Sequence, residues 1–412
     1  MRAVFTGVGV VAPNGLGVEK FWEATLSGRR AIARISRFES GGYSTRLAGE
    51  VAASFGPERV PGRLAVQTDR WTQFAFVAAD EAIRMAGFDP AQLDEYEMAV
   101  VTASSSGGNE FGQREISQLW SQGPQFVGVY QSIAWFYAAT TGQLSIRHGM
   151  RGPCGVFVGE QAGGLDAIGE ARRVLARGAR AVLTGGTEAP LSPFALTCQI
   201  GGARLSSCDD PARAYQPFGA DAQGHVPGEG GAMLLMEDAG HGRSAQHPLG
   251  RLAGYASTFD PRPGSGRPPT LRRAIERALG DAGLSAADID VVFADAAGER
   301  GSDRDEAQAI AEVFGAGAVP VTAPKSMVGR LYAGGGPLDV VCALLAIRDG
   351  VVPPTVGVAE LAPNCPIDLV RDEPRAVNVR AALVVARGYG GFNSAVVITG
   401  PNDAAKEPTW TG

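Results

Sequence analysis

Short apolar runs alternate with amphipathic stretches along almost the whole chain. Val4–Val11, Met98–Ala103, Gly155–Val158 and Ala181–Gly185 are compact apolar runs bounded by turn residues, which predicts buried strands. Gln73–Ala86 and Leu165–Arg177 repeat their apolar positions at three- and four-residue spacing, which predicts helices. After about residue 250 the scheme recurs. Leu249–Tyr255, Val291–Asp295, Ala381–Ala386 and Ala395–Thr399 read as strands, and Leu271–Ala282, Arg304–Phe314 and Leu338–Arg348 as helices. Strands that are apolar throughout need cover on both faces, so the alternation predicts an α/β protein with parallel strands. Its recurrence predicts two similar halves, residues 1–249 and 250–412, packed back to back. Pro261–Pro269 reads as a surface loop and Pro408–Gly412 as a loose tail.

The 412 residues exceed one simple core, in keeping with a duplicated unit. A net charge of −6 argues against a nucleic-acid partner, and no Lys/Arg-rich run suggests a membrane surface. A local basic pocket for an acidic carrier is still compatible with that balance. The longest clean apolar run, Val340–Ile347, is bounded by Asp339 and Arg348 and is too short to span a bilayer. The N-terminus lacks a signal-peptide pattern, and five cysteines without paired spacing suggest a reducing compartment, so a cytoplasmic protein is expected. No zinc-ligand spacing occurs and no metal is expected. Only Lys20, Lys325 and Lys406 are lysines among 37 basic residues, which singles out the mid-chain Lys325.

The most informative position is Gln161, in Val158-Gly159-Glu160-Gln161-Ala162-Gly163-Gly164. An apolar strand leads in and a helix leads out, the setting in which enzymes place a Ser or Cys nucleophile over helix N-terminal amides. A glutamine amide has no ionisable proton at neutral pH. The run Gly7-Val8-Gly9-Val10-Val11-Ala12 matches a dinucleotide fingerprint, but Pro13, Gly15 and Gly17 break the helix that motif must open. Nucleotide binding is therefore not expected.

Further glycine-rich pieces stand in a fixed order: Gly185-Gly186-Thr187-Glu188-Ala189, Pro217-Phe218 before Val226-Pro227-Gly228-Glu229-Gly230-Gly231, and Gly388-Tyr389-Gly390-Gly391-Phe392-Asn393-Ser394-Ala395. With Thr6–Gly15 they resemble the β-ketoacyl synthases over essentially the whole chain. The resemblance implies a thiolase fold, two βαβαβαββ halves in an αβαβα layered arrangement. It also implies a cysteine and two histidines for catalysis. By motif the three fall on Gln161, on Ala297 of Asp295-Ala296-Ala297-Gly298, and on Arg330 of Lys325-Ser326-Met327-Val328-Gly329-Arg330. The last histidine of the chain is His247, so the C-terminal half supplies no imidazole.

The triple replacement resembles one branch, the chain-length factor or ketosynthase-β of bacterial aromatic (type II) polyketide synthases. Ser145–Pro153, Glu160–Ala167 and Gly329–Tyr332 followed by Gly334–Asp339 carry that likeness. It implies no condensing chemistry of the chain's own and a catalytic ketosynthase-α partner in a heterodimer. It also implies substrates carried on the phosphopantetheine of an acyl carrier protein, with no cofactor bound directly. Together the two subunits would enclose a tunnel that sets poly-β-keto chain length. Asn109, Gly112 and Ile116 align with its gates, and their small or aliphatic side chains imply a product toward the longer end of the family range. Tyr130, Trp135 and Phe136 lie in an aromatic-dense stretch that the resemblance places at the partner interface, although stacked aromatics also suit a core.

Three roles stay open for Gln161: an inert filler, a structural hydrogen-bonding centre, or an amide that helps decarboxylate a malonyl-carrier and so primes the synthase. Lys325 matches a lysine that ketosynthases retain, and an ion pair would equally explain it. Arg330 cannot act as a base and is expected to fill the vestigial site, with Asp303, Asp305 and Glu306 as structural polar groups. Cys154 is expected to be a small buried residue in a turn, with Cys198, Cys208, Cys342 and Cys365 equally unreactive.

Overall fold

The computed structural model describes residues 3–52, 55, 56, 58–240, 248–262 and 264–401. In the N-terminal half, β1 (Ala3–Ala12), β2 (Met98–Ala103), β3 (Cys154–Phe157), β4 (Ala181–Glu188) and β5 (Gly230–Asp238) lie in the order β1-β5-β4-β2-β3. The C-terminal half repeats this. Its strands β6 (Gly250–Phe259), β7 (Val291–Phe293), β8 (Pro320–Thr322), β9 (Asp368–Leu369), β10 (Ala381–Gly388) and β11 (Phe392–Thr399) lie in the order β6-β11-β10-β7-β8-β9. Apart from β9, the order and orientation match strand for strand. β4, β2 and β3 run parallel, as do β10, β7 and β8, while β5 and β11 are antiparallel to both neighbours. This is the duplicated thiolase-type topology. The halves join where β1 meets β6, through Val4 opposite Arg251 and Phe5 opposite Gly250.

Helices α1 (Arg70–Met85), α2 (Asn109–Gln122), α3 (Ala139–His148), α4 (Glu160–Ala176), α5 (Leu271–Ala282), α6 (Arg300–Phe314) and α7 (Gly335–Asp349) complete the layers. α4 touches strands of both halves and packs on α7, so these two form the middle layer. α1 covers β1, β4 and β5 on one outside face, and α5 covers β6 and β11 on the other. A middle-layer helix has no solvent side. Every residue from Gly335 to Ala346 is accordingly buried, which explains why Val340–Ile347 is apolar without being a membrane segment. Among the described residues no helix is long and apolar enough to cross a membrane.

Gly7 and Gly9 of the apparent nucleotide fingerprint lie inside β1, which continues without a break to Ala12. A Cβ on Gly7 would sit 2.0 Å from the Ala82 carbonyl oxygen, and one on Gly9 would sit 1.9 Å from that of Ala78. These glycines let α1 press onto the strand; they do not face a phosphate.

Several helices start earlier than their apolar spacing predicts: α4 at Glu160, α6 at Arg300 and α7 at Gly335. Their first turns are built from glycine, alanine, proline and polar residues, which show no apolar period. The loop 261–269 is exposed except for Pro261, with Pro263 outside the described residues. The predicted tail, Pro408–Gly412, also lies outside them.

Candidate functional site: a nucleophile turn without a nucleophile

β3 ends at Phe157 and α4 opens at Glu160, so Gln161 is the second residue of a middle-layer helix and is fully buried. Its Nε2 donates to Asp295 Oδ1 at 2.7 Å, while its Oε1 has no hydrogen-bond partner. That oxygen abuts α7 so closely that a Cβ on Gly335 would lie 2.7 Å from it. The amide therefore fills the space between the N-termini of two middle-layer helices. Its donor is already committed to a carboxylate.

Arg330 has 1% exposure and stands over the same carboxylate. Its Nη1 donates to Asp295 Oδ2 at 3.1 Å and its Nη2 to Asp295 Oδ1 at 3.3 Å. On the other side Nε and Nη2 bracket Glu160 at 2.7 and 3.3 Å, and Nη2 also reaches the Arg387 carbonyl at 2.7 Å. Burial alone would raise the Asp295 carboxyl. The Arg330 and Lys325 charges and the Arg387 N–H at 2.8 Å outweigh that and hold it below the ordinary carboxylate range. The guanidinium thus bridges two carboxylates, one from each half of the chain.

Ala297 is 2% exposed in the loop between β7 and α6 and has no polar side-chain atom. The expected structural acids behind it are buried. Glu306 accepts the Asp295 and Ala296 N–H groups at 2.7 and 2.9 Å, and Asp303 accepts those of Phe218 and Gly298 at 2.7 and 3.0 Å. Burial pushes Asp303 up to about 8. Asp305, by contrast, is half exposed and pairs with Arg304. Lys325 is buried in an ion pair with Asp339 at 2.7 Å and also donates to the Ala294 carbonyl. Its ammonium thus packs behind Asp295.

The backbone around these positions is strained. Among the described residues six non-glycine positions have positive φ, and three of them flank the replacements: Glu160 at 51°, Ala296 at 52° and Tyr332 at 50°. Each such conformation costs on the order of 1–3 kcal/mol and persists only where the surroundings impose it.

One nearby group escaped the motif reading. The C-terminal half has no imidazole, yet His225 of the N-terminal half comes within 3.5 Å of the Tyr332 hydroxyl, two residues beyond Arg330. Burial, then the Arg330 and Arg204 charges, push His225 well below the usual histidine range, so it is neutral. Its only sequence signal is its place just before Val226–Gly231.

Asn109, Gly112 and Ile116 fall on one face of α2, at the first, fourth and eighth residues. Asn109 is half-buried, Gly112 buried and Ile116 48% exposed. A Cβ on Gly112 would stand 3.6 Å from the Trp135 Cβ. Tyr130, Trp135 and Phe136 are 37%, 50% and 41% exposed, which overturns the reading of this stretch as core. The burial expected for Cys154 is also wrong. Cys154 is exposed at the start of β3, because β3 is the last strand of the sheet order and has a neighbour on one side only.

A duplicated thiolase-type fold here buries an amide, Gln161, at the turn from β3 into α4 and locks it to Asp295 and Arg330. The chain belongs to the β-ketoacyl synthase family: the N-terminal domain of that family matches residues 2–241 and the C-terminal domain residues 249–359. Within the family it is similar to ketosynthase β subunits of type II polyketide synthases. It is 58% identical to the tetracenomycin polyketide synthase ketoacyl synthase β subunit of Streptomyces glaucescens, over 96% of this chain and 97% of that one. It is 53% identical to the actinorhodin polyketide putative β-ketoacyl synthase 2 of Streptomyces coelicolor, over 97% and 98%. Among solved structures, the ishigamide ketosynthase/chain length factor superposes with a TM-score of 0.87 at 25% identity, covering 97% of this chain and 99% of that one. A type II synthase acyl-carrier protein in complex with its ketosynthase bound to the hexaketide superposes at 0.85 and 26%, with the same coverage.

Proposed function

We propose that this chain is the non-condensing partner of a ketosynthase in a type II polyketide synthase, and that it shapes the interface tunnel that sets poly-β-keto chain length. One observation carries the reading: Gln161, Arg330 and Asp295 form a closed, buried network where a thiolate and imidazoles would have to stand. Carbon–carbon bond formation then belongs to a catalytic α subunit. The exposed aromatics at 130–137 and the open edge of β3 form the surface for that subunit. Extender units arrive on the phosphopantetheine of an acyl carrier protein in the cytoplasm. The segments 1–249 and 250–412 act as the two halves of this scaffold, the first carrying the gate on α2.

The decarboxylase alternative through Gln161 is not favoured. Its amide N–H groups would have to hydrogen-bond an enolate, yet Nε2 is held by Asp295 and the side chain is fully buried. Intact-mass measurement of both subunits during turnover with malonyl-carrier tests the proposal. The acyl adduct is expected on the α subunit alone. An adduct on this chain overturns the assignment.

A further inference from the structure

The face of α2 that carries Asn109, Gly112 and Ile116 is held from below by one buried carboxylate. Asp69, 3% exposed, is the N-cap of α1, and its Oδ1 accepts the Trp71 N–H at 3.2 Å. Its Oδ2 accepts the Phe111 N–H at 2.7 Å. Phe111 is the third residue of α2, whose own N-cap, Gly108, has no side chain to offer. A single side chain therefore caps two helices that start about forty residues apart in sequence (|i−j| of 42 between Asp69 and Phe111). Both helix N-termini present partial positive charge to it, and no solvent screens the contact.

The loop that feeds α2 is anchored as firmly. Glu188, fully buried at the end of β4, accepts the Ser105 N–H and the Ser106 hydroxyl. The Ser104 N–H bonds the Phe157 carbonyl at 3.0 Å, and the Ser105 hydroxyl accepts the Ala333 N–H at 3.2 Å. On the remaining side the Gly108 N–H bonds the Trp135 carbonyl at 3.0 Å. These contacts fix the height of the first turn of α2 over Trp135, the residue that Gly112 faces. Burial raises Asp69 to about 7 and Glu188 to about 8, while the Phe111 and Trp71 N–H groups pull Asp69 the other way.

We infer that Asp69 is a positioning residue for product length: its carboxylate ties the first turn of the gating helix α2 to that of α1 and so sets the gap between Gly112 and Trp135. This rests on the reading of α2 as the gate. Asp69→Asn has the same shape but one acceptor, so it can hold the Trp71 or the Phe111 N–H and not both. Asp69→Ser still caps α1 but is too short to reach α2.

The test uses the complex with a catalytic ketosynthase subunit and carrier protein. Product lengths are read by mass spectrometry beside the melting temperature, with Gly112→Phe in parallel. Both Asp69 variants are expected to replace one dominant length with a mixture. The ratio of main to neighbouring products falls roughly tenfold, the weight of one charge-assisted hydrogen bond. If Gly112→Phe shortens the product while both Asp69 variants keep the wild-type ratio and only melt lower, Asp69 is merely structural and the inference is overturned. If Gly112→Phe also leaves length unchanged, the gate reading itself falls. Should the Asp69 variants not assemble, hydrogen exchange in the wild-type complex decides. Strong protection of the Phe111 amide relative to the exposed end of α2 supports the tie, and equal exchange overturns it.

Discussion

Gln161 Nε2 lies 2.7 Å from Asp295 Oδ1, and that carboxylate also receives the Arg330 guanidinium. Gln161 and Arg330, which lie 169 residues apart in sequence, thus meet through one shared carboxylate. The consequence for stability is asymmetric. Arg330→Ala leaves Asp295 and Glu160 facing each other in a dry site and is expected to destabilise the complex by about 3–5 kcal/mol. Gln161→Ala removes one hydrogen bond to a charged group and is expected to cost about 1.5–3 kcal/mol. Denaturant melts at fixed protein concentration check the order; an Arg330→Ala complex as stable as wild type would show that the network carries no weight.

Restoring the nucleophile alone does not restore the enzyme. In Gln161→Cys the thiol is buried on the side of α4 that faces Asp295, with no imidazole at 297 or 330 to take its proton. An anionic neighbour and desolvation both disfavour the thiolate. The variant is expected to show no acylation above background when incubated with acyl-carrier, as read by intact mass.

Substitutions at Gly112 are expected to act in proportion to volume. Gly112 is helical and a Cβ meets only ordinary contacts, so Gly112→Ala raises stability by roughly 0.5–1 kcal/mol through helix propensity and leaves product length nearly unchanged. Gly112→Phe has to occupy the space in front of Trp135 and Gln131, and shorter products are expected. Equal product profiles for glycine, alanine and phenylalanine at this position would remove Gly112 from the gate.

The buried carboxylates give the stability a defined pH dependence. Burial raises Glu188 from 4.5 to about 8, so the folded state binds that proton more tightly than the unfolded chain. The corresponding stability is fully present below about pH 4.5 and is lost as pH rises through about 8. Asp303, also raised to about 8, acts in the same sense. The melting temperature of the complex is expected to fall between about pH 5 and 8, and to fall less in Glu188→Gln. Parallel pH profiles for the two proteins would contradict the assignment.

The sequence by itself determined the duplicated α/β design, because strands apolar throughout and helices with a regular apolar period recur in the same order in both halves. Motif spacing in the sequence also singles out Gln161, Ala297 and Arg330 as the positions to compare with a condensing site. The tertiary structure alone decided how those positions are filled. Asp295 lies 134 residues from Gln161 and 35 from Arg330, and periodicity reports which face of an element is apolar without saying what it meets. For the same reason Cys154 reads as interior but is exposed: a short apolar run looks alike in an inner strand and at a sheet's edge. His225 and Asp69 gain their places only when distant segments close around them. A hydrogen bond depends on position in three dimensions, and a linear pattern does not record that.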